Sequence, residues 1–149
     1  MKKYSFRLQP VLEIRQNVLE DKRLEMAKVI KLLNEQQIEL EKLHEKIRLY
    51  KQNFCEIPLN QEVNVYELSN YEEYLVVLNS QIQFQEGLIE NTKKVLKAKQ
   101  DEVNEALKEV KVLEKLKEKQ SEKFYRDIEK KEADEIDDIV TSRYKLKRA

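Results

Sequence analysis

A chain of 149 residues that holds one glycine and two prolines has very little with which to reverse direction. Tight turns draw on Gly, Pro, Asn, Asp and Ser, because those residues reach positive φ, preset φ or satisfy the turn's own backbone. A sheet-based domain with many reversals is therefore excluded, and what remains is long helix interrupted once or twice. The residues that replace the missing turn formers are Glu, Lys, Leu and Gln, which lose little rotamer freedom on a helix. With 39% of the chain charged, the apolar residues suffice for a narrow seam along each helix but not for a thick globular core.

The seam is legible position by position. Alternate steps of three and four from Leu12 give Leu12, Arg15, Leu19, Lys22, Met26, Val29, Leu33, Gln36, Leu40, Leu43, Ile47, Tyr50 and Phe54. This is the heptad spacing of a helix that packs knobs-into-holes on another helix. A parallel line, Val11, Ile14 and Val18, widens the early face and reads as a broader core stripe. A second walk, from Tyr71, gives Tyr71, Leu75, Leu78, Ile82, Gln85, Ile89, Thr92, Leu96, Lys99, Val103, Ala106, Val110 and Leu113. Polar members of both seams, Gln36, Gln85, Thr92 and Lys99, are candidates for fixing register. Beyond Leu113 the phase loosens at Lys117 and Gln120 before Phe124, Ile128, Ile136 and Ile139 resume an apolar line. Gly87 sits inside the second helix, as a bend, a close backbone approach or slack.

Between the seams the stretch "NFCEIPLNQEVNVYELSNYEEYL", residues 53 to 75, breaks the pattern. Pro58 lacks an amide hydrogen and pushes Ile57 away from helical geometry. Asn60, Asn64, Ser69 and Asn70 supply turn and capping chemistry, and Ser69 or Asn70 followed by Glu72 and Glu73 reads as a helix start. Two seams joined by one break predict an all-α fold: a long antiparallel two-helix coiled-coil hairpin with an overhanging C-terminal helix. The expected layout is a single coiled-coil domain over 1–149, with helix 1 about 8–55, a tip at 56–68 and helix 2 about 69–144. At a rise of about 1.5 Å per residue the arms differ in length, so that about 25 residues of the second extend past the first. The tip also gathers Tyr50, Phe54, Tyr66, Tyr71 and Tyr74, either to anchor a partner or to close the end of the hairpin.

Several functions are excluded by what is missing. Lys plus Arg and Asp plus Glu both equal 29, so no net field draws the chain to nucleic acid or to an anionic membrane. A single His, His44, and a single Cys, Cys55, provide no zinc set and no internal disulfide. Cys55, with no basic cluster beside it, reads as an ordinary cysteine of a reducing compartment. Neither nucleotide-binding glycine motif is present. The acidic run "EADEIDD" at 132–138 lacks the glycine and ligand spacing of a calcium loop and reads as a solvated helix face. The start "MKKYSFRLQPVLEIR" is basic but too polar for a signal sequence, and "LVVL" at 75–78 is too short to cross a bilayer. The expectation is a cytoplasmic protein that is not an enzyme, with no cofactor, no metal, no nucleic acid and no small-molecule substrate.

Two terminal patterns carry a resemblance. The opening "FRLQPVLEIRQNVLEDKRLEMAKV", with Arg15 and the Glu20–Asp21 pair, is similar to the N-terminal pattern of the flagellar export protein FliJ family. The closing stretch contains E-x-K-x-x-D-E, formed by Glu129, Lys131, Asp134 and Glu135, which resembles that family's C-terminal pattern. What the resemblance implies is a soluble component of the flagellar type III export apparatus, an antiparallel coiled coil like the central stalk of rotary ATPases. Its implied partners are the hexameric flagellar export ATPase, whose assembly and activity it promotes, the cytoplasmic domain of the export gate membrane protein, and export chaperones. Its implied place is the cytoplasm, peripherally associated with the inner membrane at the flagellar base, and by itself a monomeric hairpin is expected. By the same analogy Arg15, Glu20, Asp21, Arg126, Asp134, Glu135 and Arg143 contact the ATPase. Glu39, Leu43, Lys46, Tyr50, Tyr74, Leu78, Gln81 and Gln85 contact the gate. Three rival readings stand beside it: an injectisome stalk homologue, a passive coiled-coil spacer that dimerises through its seams, and a dedicated secretion chaperone.

Overall fold

The structure, a computed structural model, describes residues 2–56 and 64–148. Two helices account for nearly all of them: α1, Gln9–Cys55, and α2, Val65–Arg148. They pair antiparallel as an all-α hairpin, and no strand occurs among the described residues. Pro10 sits in the first turn of α1, where its missing amide hydrogen costs nothing. Ahead of it, the Gln9 amide donates to the Phe6 carbonyl at 3.1 Å and Leu12 to Leu8 at 2.9 Å, tying residues 6–8 to the helix.

The second helix starts earlier than its sequence suggests. Asn64 is the cap: its Oδ1 accepts from the Tyr66 amide at 3.3 Å, and its carbonyl accepts from the Leu68 amide at 3.1 Å. Glu67 is the acid of the first turn, which leaves Ser69 and Asn70 inside the helix rather than at its edge. The physical reason is that Val65 to Leu68 contain no breaker, so the asparagine nearest the break captures the free amides first. The features proposed at Ile57, Pro58 and Asn60 lie outside the described residues.

Contacts divide the chain into two compact units: Met1–Asp21 with Asn104–Ala149, and Lys22–Val103. In the second, Ile47, Leu78 and Ile82 form a buried cluster flanked by Leu40, Leu43, Tyr50 and Tyr74. Leu78, only 1% exposed, is the most buried of the described residues. Ile89, Thr92 and Val103 continue the buried line. The half-buried rings at 50–74 pack on one another: Phe54 stacks on Tyr71 at 3.9 Å between centroids, Tyr50 stacks on Tyr71 at 5.1 Å, and Tyr50 meets Tyr74 edge-on at 4.6 Å. Desolvation there, then the proximity of Cys55 and Tyr50, raises the pKa of the Tyr71 hydroxyl. Tyr66 alone of the tip tyrosines is wide open.

Polar seam residues behave according to reach. Gln85 Nε2 crosses to the Gln36 carbonyl at 2.9 Å, and Lys99 Nζ crosses to Glu25 at 3.1 Å. Thr92 instead turns its hydroxyl onto its own helix, donating to the Leu88 carbonyl at 2.9 Å. Lys22 and Lys99 together with Glu25 and Glu102 make a four-charge network spanning the two helices. The hydrogen bond from Lys99, then the charges of Lys22 and Lys99, hold the Glu25 carboxyl below its ordinary range. Lys99 is raised in turn, chiefly by its hydrogen bond to Glu25 and the charge of Glu102.

Such a carboxylate stabilises the fold fully above its unfolded pKa and loses that contribution as pH falls through the lowered folded value. The raised lysine contributes fully below its unfolded pKa, and its contribution disappears as pH climbs through the folded one. Lys99→Met is therefore expected to reduce the drop in urea midpoint on acidification from about pH 7 to about pH 3, modestly because exposed pairs are screened. An unchanged acid slope would remove Lys99 from the network.

In the other unit Leu12, Leu19, Ala106 and Val110 are buried, and an extended arm ahead of α1 adds to them. Phe6 is 6% exposed, Tyr4 packs its ring on Phe124 at 5.5 Å, and its hydroxyl donates to Gln120 Oε1 at 3.1 Å. Lys117 Nζ donates to Gln9 Oε1 at 2.8 Å. The stripe expected from Val11 and Ile14 is not core: both are exposed, because one facing helix covers only one line of side chains. Ile136 and Ile139 are likewise exposed, at 61% and 54%. From Glu129 through Lys147 every side chain is exposed, which is the C-terminal overhang.

Gly87 does not serve a close backbone approach. A methyl group built there meets nothing within 4 Å. Gly87→Ala is expected to raise stability by about 1 kcal/mol, through helix propensity and a less flexible unfolded chain. Thermal unfolding followed by circular dichroism would show the gain, and a loss would reveal a contact at this surface.

Candidate functional site

Catalysis requires convergent, sheltered groups, and among the described residues the helices present mainly open faces. Among the described residues no group of three or more His, Cys, Asp or Glu side chains could hold a metal ion. No helix of the described residues is long and apolar enough to cross a membrane. The surfaces that remain are helix faces, and the two sets of residues singled out by sequence fall on different units.

Arg15, Glu20, Asp21, Arg126, Asp134, Glu135 and Arg143 all belong to the unit built from Met1–Asp21 and Asn104–Ala149, and all are exposed. Arg15 is the exception among the first seam positions: its guanidinium leaves the interior and bonds Glu109 across the helix pair at 2.9 Å. Arg126 pairs one turn back with Glu122 at 3.6 Å. Asp134, Glu135 and Arg143 stand on the overhanging part of α2, where Ile136, Ile139, Val140 and Leu146 are also exposed. Exposed charged and apolar groups thus stand side by side on this helix.

The other set lies entirely in Lys22–Val103, but it is not one surface. Leu78 is at the bottom of the core cluster and has no face to offer a partner, so its place in the set is structural. Tyr50 and Tyr74 are half-buried against each other, with Lys46 Nζ 5.9 Å above the Tyr74 ring. Glu39 is exposed and pairs with Lys42 at 3.3 Å. Leu43, Gln81 and Gln85 do come together, along a shallow groove whose other walls are Val76, Val77, Ser80 and Phe84. Val76 and Phe84 are 65% and 70% exposed. Sequence reading passed over these apolar residues because it followed the seam. The signal was the spacing Val76, Ser80, Phe84, an i, i+4, i+8 line on the face the seam leaves outside.

Comparisons with known proteins bear on nearly the whole chain. The family model described as "Flagellar FliJ protein" matches residues 4–149. A protein of Bacillus subtilis (strain 168) named "Flagellar FliJ protein" is 29% identical over 146 residues, covering 96% of this chain and 97% of its own length. No solved structure matches the chain. With the match running from the extended arm, through both helices, to the end of the overhang, this chain belongs to the flagellar FliJ protein family.

Proposed function

We propose that the protein is a stalk component of the flagellar type III export apparatus, acting in the cytoplasm at the base of the flagellum. The unit that contains both chain ends enters the hexameric export ATPase, promoting its assembly and turnover. The Lys22–Val103 unit meets the cytoplasmic domain of the export gate and interacts with export chaperones. Carrying this reading is the separation of the candidate residues: those for the ATPase fall on one unit and those for the gate on the other. An exposed, charged helix is what a ring of subunits can grip from several sides, while buried seams keep the helix pair intact during the encounter.

Within the gate set, Leu43, Gln81 and Gln85 act with Val76 and Phe84, and Tyr50 and Leu78 hold the pair together beneath them. A spacer that dimerises through its seams is disfavoured because those seams are already covered within one chain. Family membership favours a flagellar machine over an injectisome.

ATP turnover by the cognate export ATPase, measured with and without this protein alongside the mass of the complex, tests the proposal. Faster turnover and a six-subunit ring carrying a single copy are expected. Binding to one export substrate with no change in turnover would replace the stalk with a chaperone.

A further inference from the structure

The cover that α1 gives α2 ends near Lys117, whose amine reaches Gln9 in the first turn of α1 at 2.8 Å. Past that point Ser121, Phe124 and Ile128 continue a half-buried stripe in steps of four and three, and the arm ahead of α1 lies over its far end. Tyr4 packs on Phe124, and Lys2 lines one groove with Tyr125, Ile128 and Glu129. Within the arm Lys3, Ser5 and Arg7 are exposed while Tyr4 is half-buried and Phe6 buried, the period-two alternation of an extended segment. Pro10 enforces it: a helix continued toward the N-terminus would lack the bond from the Pro10 nitrogen and crowd the Phe6 carbonyl.

The arm is held lightly. Among the described residues no backbone hydrogen bond joins it to α2, and the bond from the Tyr4 hydroxyl to Gln120 lies at the surface. Burial of one ring and half of another opposes the conformational entropy lost in ordering residues 2–8, two quantities of similar size. A segment so balanced opens without unfolding the rest of its molecule. Leu12, Leu19, Ala106 and Val110, by contrast, are buried between two continuous helices. Opening of the arm uncovers Phe124 and Ile128. Arg126 stands between these two in the chain, and Asp134 and Glu135 follow within two turns.

We propose that residues 2–8 are a strap that closes over the Phe124–Ile128 face of α2 and must lift before the export ATPase can take that face. The identity of the partner rests on the stalk reading; the strap adds a means of regulating the same contact. A ring that grips α2 from several sides meets the strap on one of them. The closed form therefore binds weakly, and the open form is the competent one. Apparent affinity follows the fraction of molecules in which the strap is open.

The test is stimulation of the cognate export ATPase as a function of added protein, for the parent chain and for Tyr4→Ser/Phe6→Ser. The variant loses the strap's hold and should reach half-maximal stimulation at about one-tenth of the parent concentration, the shift that follows if about one parent molecule in ten is open. Helicity should be unchanged, because both substitutions lie ahead of α1, and deletion of residues 2–7 should repeat the result. The chain holds no tryptophan, so Tyr4→Trp reports on the strap. When the ATPase is added, its emission, with that of the parent mixture subtracted, should shift to the red and become accessible to acrylamide. A half-maximal concentration that is equal or higher for the variant, or a Tyr4→Trp signal that stays shielded in the complex, would overturn the strap and leave the stalk reading in place. No stimulation by either chain would bring down the stalk reading and the strap's regulatory role with it.

Discussion

Alanine at position 78 is expected to lower stability by about 3 kcal/mol, a greater loss than truncation at any half-buried seam position. The removed side chain is 1% exposed and sits between Ile47 and Ile82 with Leu40, Leu43, Tyr50 and Tyr74 around it. Leucine-to-alanine changes at such sites cost the lost transfer energy plus the cavity left behind, about 2–5 kcal/mol. A two-helix fold has few buried side chains over which to spread the loss, and both helices are held rigid by their own backbone bonds. Urea unfolding followed by ellipticity would read the effect as a fall in midpoint with little change in slope. Leu96→Ala, at a half-buried seam position, is the comparison. An equal, small loss at both would mean that the seam is plastic and that Leu78 has no special place in it.

Removing residues 129–149 should produce the opposite profile: no loss of stability and complete loss of function. Every side chain from 129 to 147 is exposed, so the cut uncovers little buried surface and opens no cavity, and the stability read from urea unfolding should stay within about 0.5 kcal/mol of the parent. Phe124, which packs on Tyr4, is retained, and so is Ile128. Stimulation of the export ATPase should fall to the rate of the ATPase alone, because Asp134, Glu135 and Arg143 leave with the segment. Full stimulation by the shortened chain would sink the assignment of this helix and return the ATPase contact to Arg15, Glu20 and Asp21.

The helix pair was readable in the sequence because a heptad records a physical fact, namely which line of side chains a neighbouring helix covers. From Tyr71 to Leu113 each position of the walk is buried or half-buried, the polar Gln85, Thr92 and Lys99 included. In the first walk Arg15 is the position that escapes, since a long charged side chain at a seam edge can reach water and a carboxylate at once. Periodicity was silent about Tyr4 and Phe6, which pack from an extended arm and follow no helical spacing. It over-reached at Val11, Ile14, Ile136 and Ile139, where the apolar line is present and the cover is not. Amphipathicity marks a face that benefits from burial; only the fold shows whether the same chain supplies the cover. The set that includes Leu78 and Gln81 shows the same limit, since these two are three residues apart in the sequence, one buried and the other exposed.

The cross-helix contacts also carry an order in time. Gln36 and Gln85 are 49 residues apart in the chain, Glu25 and Lys99 are 74, Arg15 and Glu109 are 94, and Tyr4 and Gln120 are 116. Closing the largest of these loops from an unfolded chain is entropically costly, but closing it after the preceding turn has paired adds only a few residues of slack. Folding therefore advances like a zipper, with the Phe54–Tyr71 stack among the first contacts and the Tyr4 arm last. Mechanical load behaves in reverse. A pull on the two chain ends would peel the arm and the Arg15–Glu109 bridge before any force reached Leu78, so the last contacts to form are the ones that yield first.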